Sequence, residues 1–284
     1  MTMSSTVRTL RCALALLLWL HAAPAWAQVD RSTAEALMRQ SGLWAQLGPG
    51  VAAQVTSGMF SGLEQAGERL SAGERARIAT GVDAAFAPEP LRRAALELLA
   101  ARVEQRHVAA LRAWYDSVAG AAITRLEERT SAPDFDLDAA LAEGRRLLAS
   151  MVAARRERLQ EIVGASKLVE AMSSLTINLM TAVAAGVAAT APGQPGPPLA
   201  ALRAEAERQR PQLMAVFAPL SLALLAAVYR SLPDDELQRY GAFLASPAGR
   251  HFNELGQLAM ETALVQAAHA LGRTLPAARD AARS

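Results

Sequence analysis

Residues 113–120 read AWYDSVAG and residues 242–249 read AFLASPAG, the same short pattern twice with its residues in register. Ala113 matches Ala242, Ser117 matches Ser246, Ala119 matches Ala248 and Gly120 matches Gly249. Trp114 stands opposite Phe243, and Leu126 carries the register on to Leu255. Ala is abundant throughout, so the weight falls on the aromatic, the Ser and the Gly. In the second copy Ser246 is placed to cap helix amides, and Pro247 at a first helical position sacrifices no hydrogen bond. The chain is therefore expected to end one helix near Ala245 and begin another at an angle. Gly249 has no Cβ, which predicts close approach of a neighbouring helix or ring at that backbone, with Phe243 filling the gap. Val118 occupies the place of Pro247, which predicts a shallower kink or an unbroken helix in the first copy. Trp114, Tyr115, Ser117, Gly120, Phe243, Ser246, Pro247 and Gly249 read as a packing motif, because an aromatic and a Gly at helical spacing usually build core.

Working outward, nearly every segment reads as helix. Ala, Leu, Arg and Glu dominate, and no stretch alternates with period two. Ser32 to Glu35 resembles a capping box opening a helix through Leu47, closed by Gly48-Pro49-Gly50. Residues 51–66 and 71–86 give two shorter helices, the second capped at Ser71 before Glu74. After Pro90, the residues Leu96, Leu99, Val103, Val108, Leu111 and Tyr115 form a continuous stripe and predict one long helix. Leu141, Leu148, Val152, Leu159 and Val163 predict another, with Arg145, Arg146, Arg155 and Arg156 on a solvated face. Residues 191–198 (APGQPGPP) cannot be helical and mark the best internal boundary. The chain divides into a signal (1–27), a helical half (28–190), a linker (191–198), a second half (199–275) and a tail (276–284). The fold class is all-α, a multi-helix array with a duplicated corner in two halves.

Residues 1–27 look like a secretory signal. Arg8 and Arg11 precede the apolar run CALALLLWL at 12–20, and Ala25 and Ala27 form a small-x-small cleavage site before Gln28. That run is too short to span a bilayer, for which about 20 residues are needed; an uncleaved anchor is the alternative reading. Of the 29 basic residues, Arg8 and Arg11 leave with the signal, so the remainder balance the 27 acidic ones. A neutral chain does not argue for nucleic acid or an anionic membrane as partner. Cys12 is the single cysteine and lies in the signal, so the exported chain has no thiol for a disulfide, a thiolate metal site or lipid attachment. Lys167 is the sole lysine; the Arg and Ala bias suggests a GC-rich bacterial genome. Two uncharged stretches, 171–190 and 213–229, approach membrane-span length. Polar residues in the first, and the shortness and Pro219 of the second, favour buried core helices over a stable span.

Chemistry-bearing patterns are few. His107, His251 and His269 stand apart in sequence from each other and from any Cys, so the usual zinc spacing is absent. Asp134, Asp136 and Asp138 imitate the start of a calcium loop, but Ala139 holds the place of the Gly and Arg145 that of the last acid; they read as loop and cap residues. Asp234, Asp235 and Glu236 read as a dipole-favoured helix start. Gly58 and Gly62 would allow a close helix contact. No phosphate loop or nucleophile elbow is present.

Residues 232–252, LPDDELQRYGAFLASPAGRHF, join an acidic helix start to an aromatic, Ser-Pro-x-Gly and an amphipathic helix. This segment resembles the signature of the DUF2059 family of exported bacterial helical proteins. Residues 36–43 and 114–127 are similar to the longer members, in which a diverged half precedes the named domain. The resemblance implies an all-α periplasmic protein without an established activity and without catalytic residues to carry over. The expected function is a non-catalytic interaction or structural module of the cell envelope, with no cofactor. Its partner would be an unknown envelope protein or an apolar ligand. The alternative is a carrier or sensor of an apolar ligand, in a cavity lined by Leu213, Phe217, Leu224, Val228, Phe243 and Phe252. A third reading, hydrolysis through an acid and His251, requires a carboxylate within hydrogen-bond reach of that ring.

Overall fold

The computed structural model describes residues 28–65, 67, 69–190 and 198–280. The signal with Ala25 and Ala27, and residues 191–197 of the linker, lie outside them. Every regular element among the described residues is a helix. Gln28 forms an isolated antiparallel bridge with Glu104, and the Val29 amide donates to the Val103 carbonyl at 3.2 Å.

Helix α1 (Arg31–Gln40) is capped by Asp30, whose carboxylate accepts from the Thr33 amide at 2.8 Å, so Ser32 is not the cap its sequence position suggests. The helix also stops short of Leu47. Gly42, at φ 77°, turns the chain into the short α2 (Leu43–Gln46), a conformation that glycine adopts without strain. α3 (Gly50–Gln65) and α4 (Ala72–Ala85) follow, the latter opened by the Ser71/Glu74 capping box that the sequence predicts. The long stripe after Pro90 is two helices, α5 (Pro88–Arg102) and α6 (Gln105–Tyr115), parted by extended Val103. The next stripe is also two helices. α8 (Leu137–Ser150) and α9 (Ala153–Ser166) part at Met151 and Val152, which are both extended. Neither break carries Pro or Gly, and apolar spacings of three, four and seven read through them unchanged. Between these pairs lies α7 (Val118–Arg129); after them come α10 (Leu168–Thr190), α11 (Leu199–Arg208), α12 (Arg210–Val228), α13 (Asp234–Ala245) and α14 (Pro247–Asp280). α14 continues across Pro276 into the segment expected as a tail.

Two apolar cores form. The larger joins α1, α4, α5, α6 and α14, with Leu37, Leu99 and Leu111 fully buried. The smaller joins α7, α9, α12 and α13 around Ile123, Leu159, Ile162 and Leu237, and Phe243 packs on both. Each core draws residues from both sides of the Pro/Gly linker, and each fully buried Leu contributes about 1.5–3 kcal/mol.

Close crossings join the helices at glycines other than the pair singled out from sequence. A Cβ at Gly58 or Gly62 would meet nothing within 4 Å. One at Gly186 would lie 2.3 Å from the His269 carbonyl oxygen, and one at Gly272 would lie 2.3 Å from that of Val183, so α10 and α14 touch backbone to backbone. Gly144 of α8 meets Ala223 of α12 in the same way.

The expected solvated Arg face is partly internal. The Arg155 side chain is 17% exposed; it pairs with Asp234 and donates to the carbonyls of Tyr229 at 2.8 Å and Leu232 at 3.0 Å. Arg156 donates to the Leu148 carbonyl. Asp234 is therefore a partner for Arg155 and Arg158, and it is not a cap: Pro233 holds the cap position of α13 without a side-chain bond. Asp136 does cap, accepting from the Ala139 amide at 2.8 Å.

Leu168–Ala189 and Arg210–Val228 are long and apolar enough to cross a membrane, with mean hydropathies of 1.5 and 1.9. In the fold α10 packs along α14, and its Ser173, Thr176 and Thr181 hydroxyls donate to carbonyls one turn back. α12 divides. Ala223, Leu225, Ala226 and Ala227 are buried, whereas Ala215, Val216, Ala218 and Pro219 are exposed, so the expectation of a buried helix holds only for its second half.

Candidate functional site

The two corners have the same geometry. α6 ends at Tyr115 and α7 starts at Val118; Ser117 between them sits at φ −71°, ψ 154°. Ser246, between α13 and α14, sits at φ −71°, ψ 157°. In the first copy the Ser117 hydroxyl donates to the Trp114 carbonyl at 2.6 Å and accepts from the Gly120 amide at 3.0 Å. Ser246 repeats both bonds with Phe243 at 2.7 Å and Gly249 at 3.0 Å. Val118 thus starts a helix as Pro247 does, and the shallow kink expected there is a full break. The serine bonds and the glycine make the corner, and proline is dispensable to it. Val118, 83% exposed, and Pro247, also exposed, project away from the packing.

The glycines also act differently from expectation. A Cβ at Gly120 would lie 2.1 Å from the Trp114 carbonyl oxygen, and one at Gly249 would lie 1.9 Å from that of Phe243. What needs the room is the last turn of the preceding helix, not a neighbouring helix or a ring. The rings of Trp114 and Phe243 stack instead on each other, with centroids 4.6 Å apart and planes within 8°. Tyr240 lies parallel to the indole at 5.9 Å, and Tyr115 meets Phe243 and Phe252 edge-on at 5.7 and 5.9 Å. Such contacts add about 0.5–1.5 kcal/mol each beyond burial.

Between the corners is a pocket of about 130 Å³. Its lining comes largely in register pairs: Trp114 with Phe243, Ile123 with Phe252, Thr124 with Asn253, and Glu127 with Gly256. Tyr115 with Leu244, Tyr240 and Gly249 add to the wall, and Ser41, Leu43 and Gln46 close it from the α1–α2 side. Of the carrier cavity expected from sequence, Phe243 and Phe252 are present, but Leu213, Phe217, Leu224 and Val228 are not. The volume is a little below the roughly 150 Å³ of a cavity that binds benzene, so it suits a small group and is too small for an acyl chain.

Glu127 is the chemical feature of this pocket. Its Oε1 accepts from the Tyr229 hydroxyl at 2.5 Å and from the Tyr240 hydroxyl at 2.8 Å. Burial pushes its carboxyl above the usual range, and the two hydroxyls oppose that rise. Burial, and then the neighbouring carboxylate, also raise both tyrosines, which keeps them neutral donors. No family model, curated protein or solved structure matches this chain.

Sequence reasoning missed Glu127, Tyr229 and Tyr240, which three different helices or helix ends bring together. It also kept His107 and His251 apart, whereas their rings lie 4.7 Å apart across α6 and α14. The acid–His251 pair needed for hydrolysis is not formed: Nε2 of His251 is buried without a hydrogen-bond partner among the described residues. His269 is exposed, and no three His, Cys, Asp or Glu among the described residues are grouped to hold a metal ion.

The imidazole of His107 is held below its ordinary pKa of 6.5, first by burial, then by the charges of His251 and Arg106; Glu104 pulls the other way. The unfolded chain takes up a proton that the folded chain resists. Stability is therefore full above the unfolded value and is lost as pH falls through the depressed folded one. Urea midpoints are expected to drop on acidification from neutral pH, and to drop less in a His107→Gln variant; equal drops in both proteins would refute this coupling.

A second surface lies beside the smaller core, against which Leu148 and Leu222 pack. A groove of about 510 Å³ runs between α8 and α12, lined by Leu148, Val216, Pro219, Leu220 and Leu222, with Arg145 at its edge. Val216 is 49% exposed. Pro219 has no amide to offer the carbonyl of Ala215, and Arg145 is exposed without an ion pair among the described residues.

Proposed function

We propose that this protein is a non-catalytic interaction module of the cell envelope, exported by its N-terminal signal and related to the DUF2059 family through its Ser-Pro-x-Gly corner. The supporting observation is the groove between α8 and α12. An apolar half-helix left uncovered, with an unpaired Arg beside it, suits an amphipathic helix of a partner protein. Such a helix would lay two or three apolar side chains beside Val216 and Leu220 and set a carboxylate against Arg145. Exposed apolar positions in a soluble helix are otherwise an aggregation liability.

A photo-reactive residue at Val216, in cells producing the full chain, tests this. The expected result is one discrete adduct with another envelope protein, lost when Leu220→Glu or Arg145→Glu is added. A probe at exposed Glu157, on α9, should not give that adduct. The same adduct from both probes, or none from Val216, would overturn the proposal.

A further inference from the structure

We propose that the pocket between the two corners binds a small organic cation, an alkylammonium or quaternary ammonium group, with Glu127 as its counter-charge. This is independent of the groove between α8 and α12 and of any partner seated there.

Glu127 is half-buried and makes no ion pair among the described residues. The charge that acts on it is another acid, Glu128. Two tyrosine hydroxyls fix its Oε1, so the carboxylate is oriented yet uncompensated, a costly arrangement that an incoming cation would relieve. Opposite it in register is Gly256, where a Cβ would meet nothing within 4 Å. One copy of the corner thus supplies an anion where the other leaves open space.

The remaining walls suit the same ligand. Trp114, Tyr240, Phe243 and Phe252 provide aromatic surface, which attracts cations through the ring quadrupole. Asn253 and Gln257 spend amide N–H groups on the Ser166 carbonyl at 2.9 and 2.6 Å, leaving their amide oxygens as acceptors. The proton of Tyr240 is already committed to Glu127. The charge that the lining offers is negative, which disfavours an anion. A neutral hydrocarbon would leave the carboxylate desolvated and unpaired. The volume suits a trimethylammonium or alkylammonium head group.

Calorimetric titration of the purified protein with choline chloride, and with its neutral isostere 3,3-dimethyl-1-butanol, tests the assignment. Choline is expected to bind saturably at one site, and the alcohol to bind about tenfold more weakly or not at all. Glu127→Gln retains an acceptor for both tyrosines and should weaken choline about tenfold or more. Gly256→Leu should abolish binding by filling the space opposite, without touching the carboxylate. Near-UV circular dichroism establishes that both variants keep the aromatic packing. The proposal is overturned if choline and methylammonium both fail to bind, if the alcohol binds as well as choline, or if Glu127→Gln leaves affinity unchanged.

Discussion

Gly249→Ala is expected to destabilise the protein by about 3 kcal/mol, even though Ala is the better helix former. The new methyl would lie 1.9 Å from the Phe243 carbonyl oxygen and 2.8 Å from its carbon. Both are backbone atoms, so the clash cannot be relieved by a rotamer change and the corner must open. Opening it lengthens the bonds from the Ser246 hydroxyl to the Phe243 carbonyl and from the Gly249 amide, and it lifts Phe243 from Trp114. Gly256→Ala, two turns further along α14 in open space, is the matched control and should be neutral or stabilising by up to about 1 kcal/mol. Urea unfolding of the two variants decides the matter through their midpoints. Equal midpoints would mean that the corner is not tight.

Gly144→Val should have an effect as large by a different route. A Cβ at Gly144 would stand 1.8 Å from the Ala223 carbonyl oxygen, so any side chain wedges α8 from α12. The buried residues of α12 nearest that crossing, Ala223 and Ala226, would lose their contacts. The expected loss is about 3 kcal/mol or more, with a matching fall in Tm, because overpacking at backbone contact leaves no flexible neighbour to give way. Gly164→Ala on α9, where nothing lies within 4 Å, should raise Tm slightly. A Gly144→Val protein melting with the parent would show that α8 and α12 are farther apart than described.

What was legible in the sequence was local. The second corner could be read because a cap serine before proline acts within a single turn, as Ser71 with Glu74 does; the break at Val118 and the contact of each corner glycine with its own preceding helix could not. The class of fold followed from composition and period. The breaks at Val103 and Met151 could not be read, since extended backbone there is imposed by packing and no residue type announces it. The pocket was hidden for a related reason. Glu127, Tyr229 and Tyr240 are ordinary helical residues until α7, the end of α12 and α13 are brought together. One signal was available: carrying the repeat register past Leu126 and Leu255 sets Glu127 against Gly256, a carboxylate against no side chain. His107 and His251 lacked even that, being joined by the packing of α6 on α14. Asp234 was read correctly as a first-turn carboxylate, but its pairing with Arg155 and Arg158 was hidden, because a carboxylate there serves the dipole and a distant Arg equally well.

The two corners meet ring to ring through Trp114 and Phe243. A double-mutant cycle with Trp114→Leu and Phe243→Leu measures that contact most directly, through unfolding free energies of the parent, both single variants and the double. The two changes are expected to be coupled by about 0.5–1.5 kcal/mol, the double variant losing less than the sum of the singles. Strict additivity would contradict it, since residues that do not touch do not share a contact to lose.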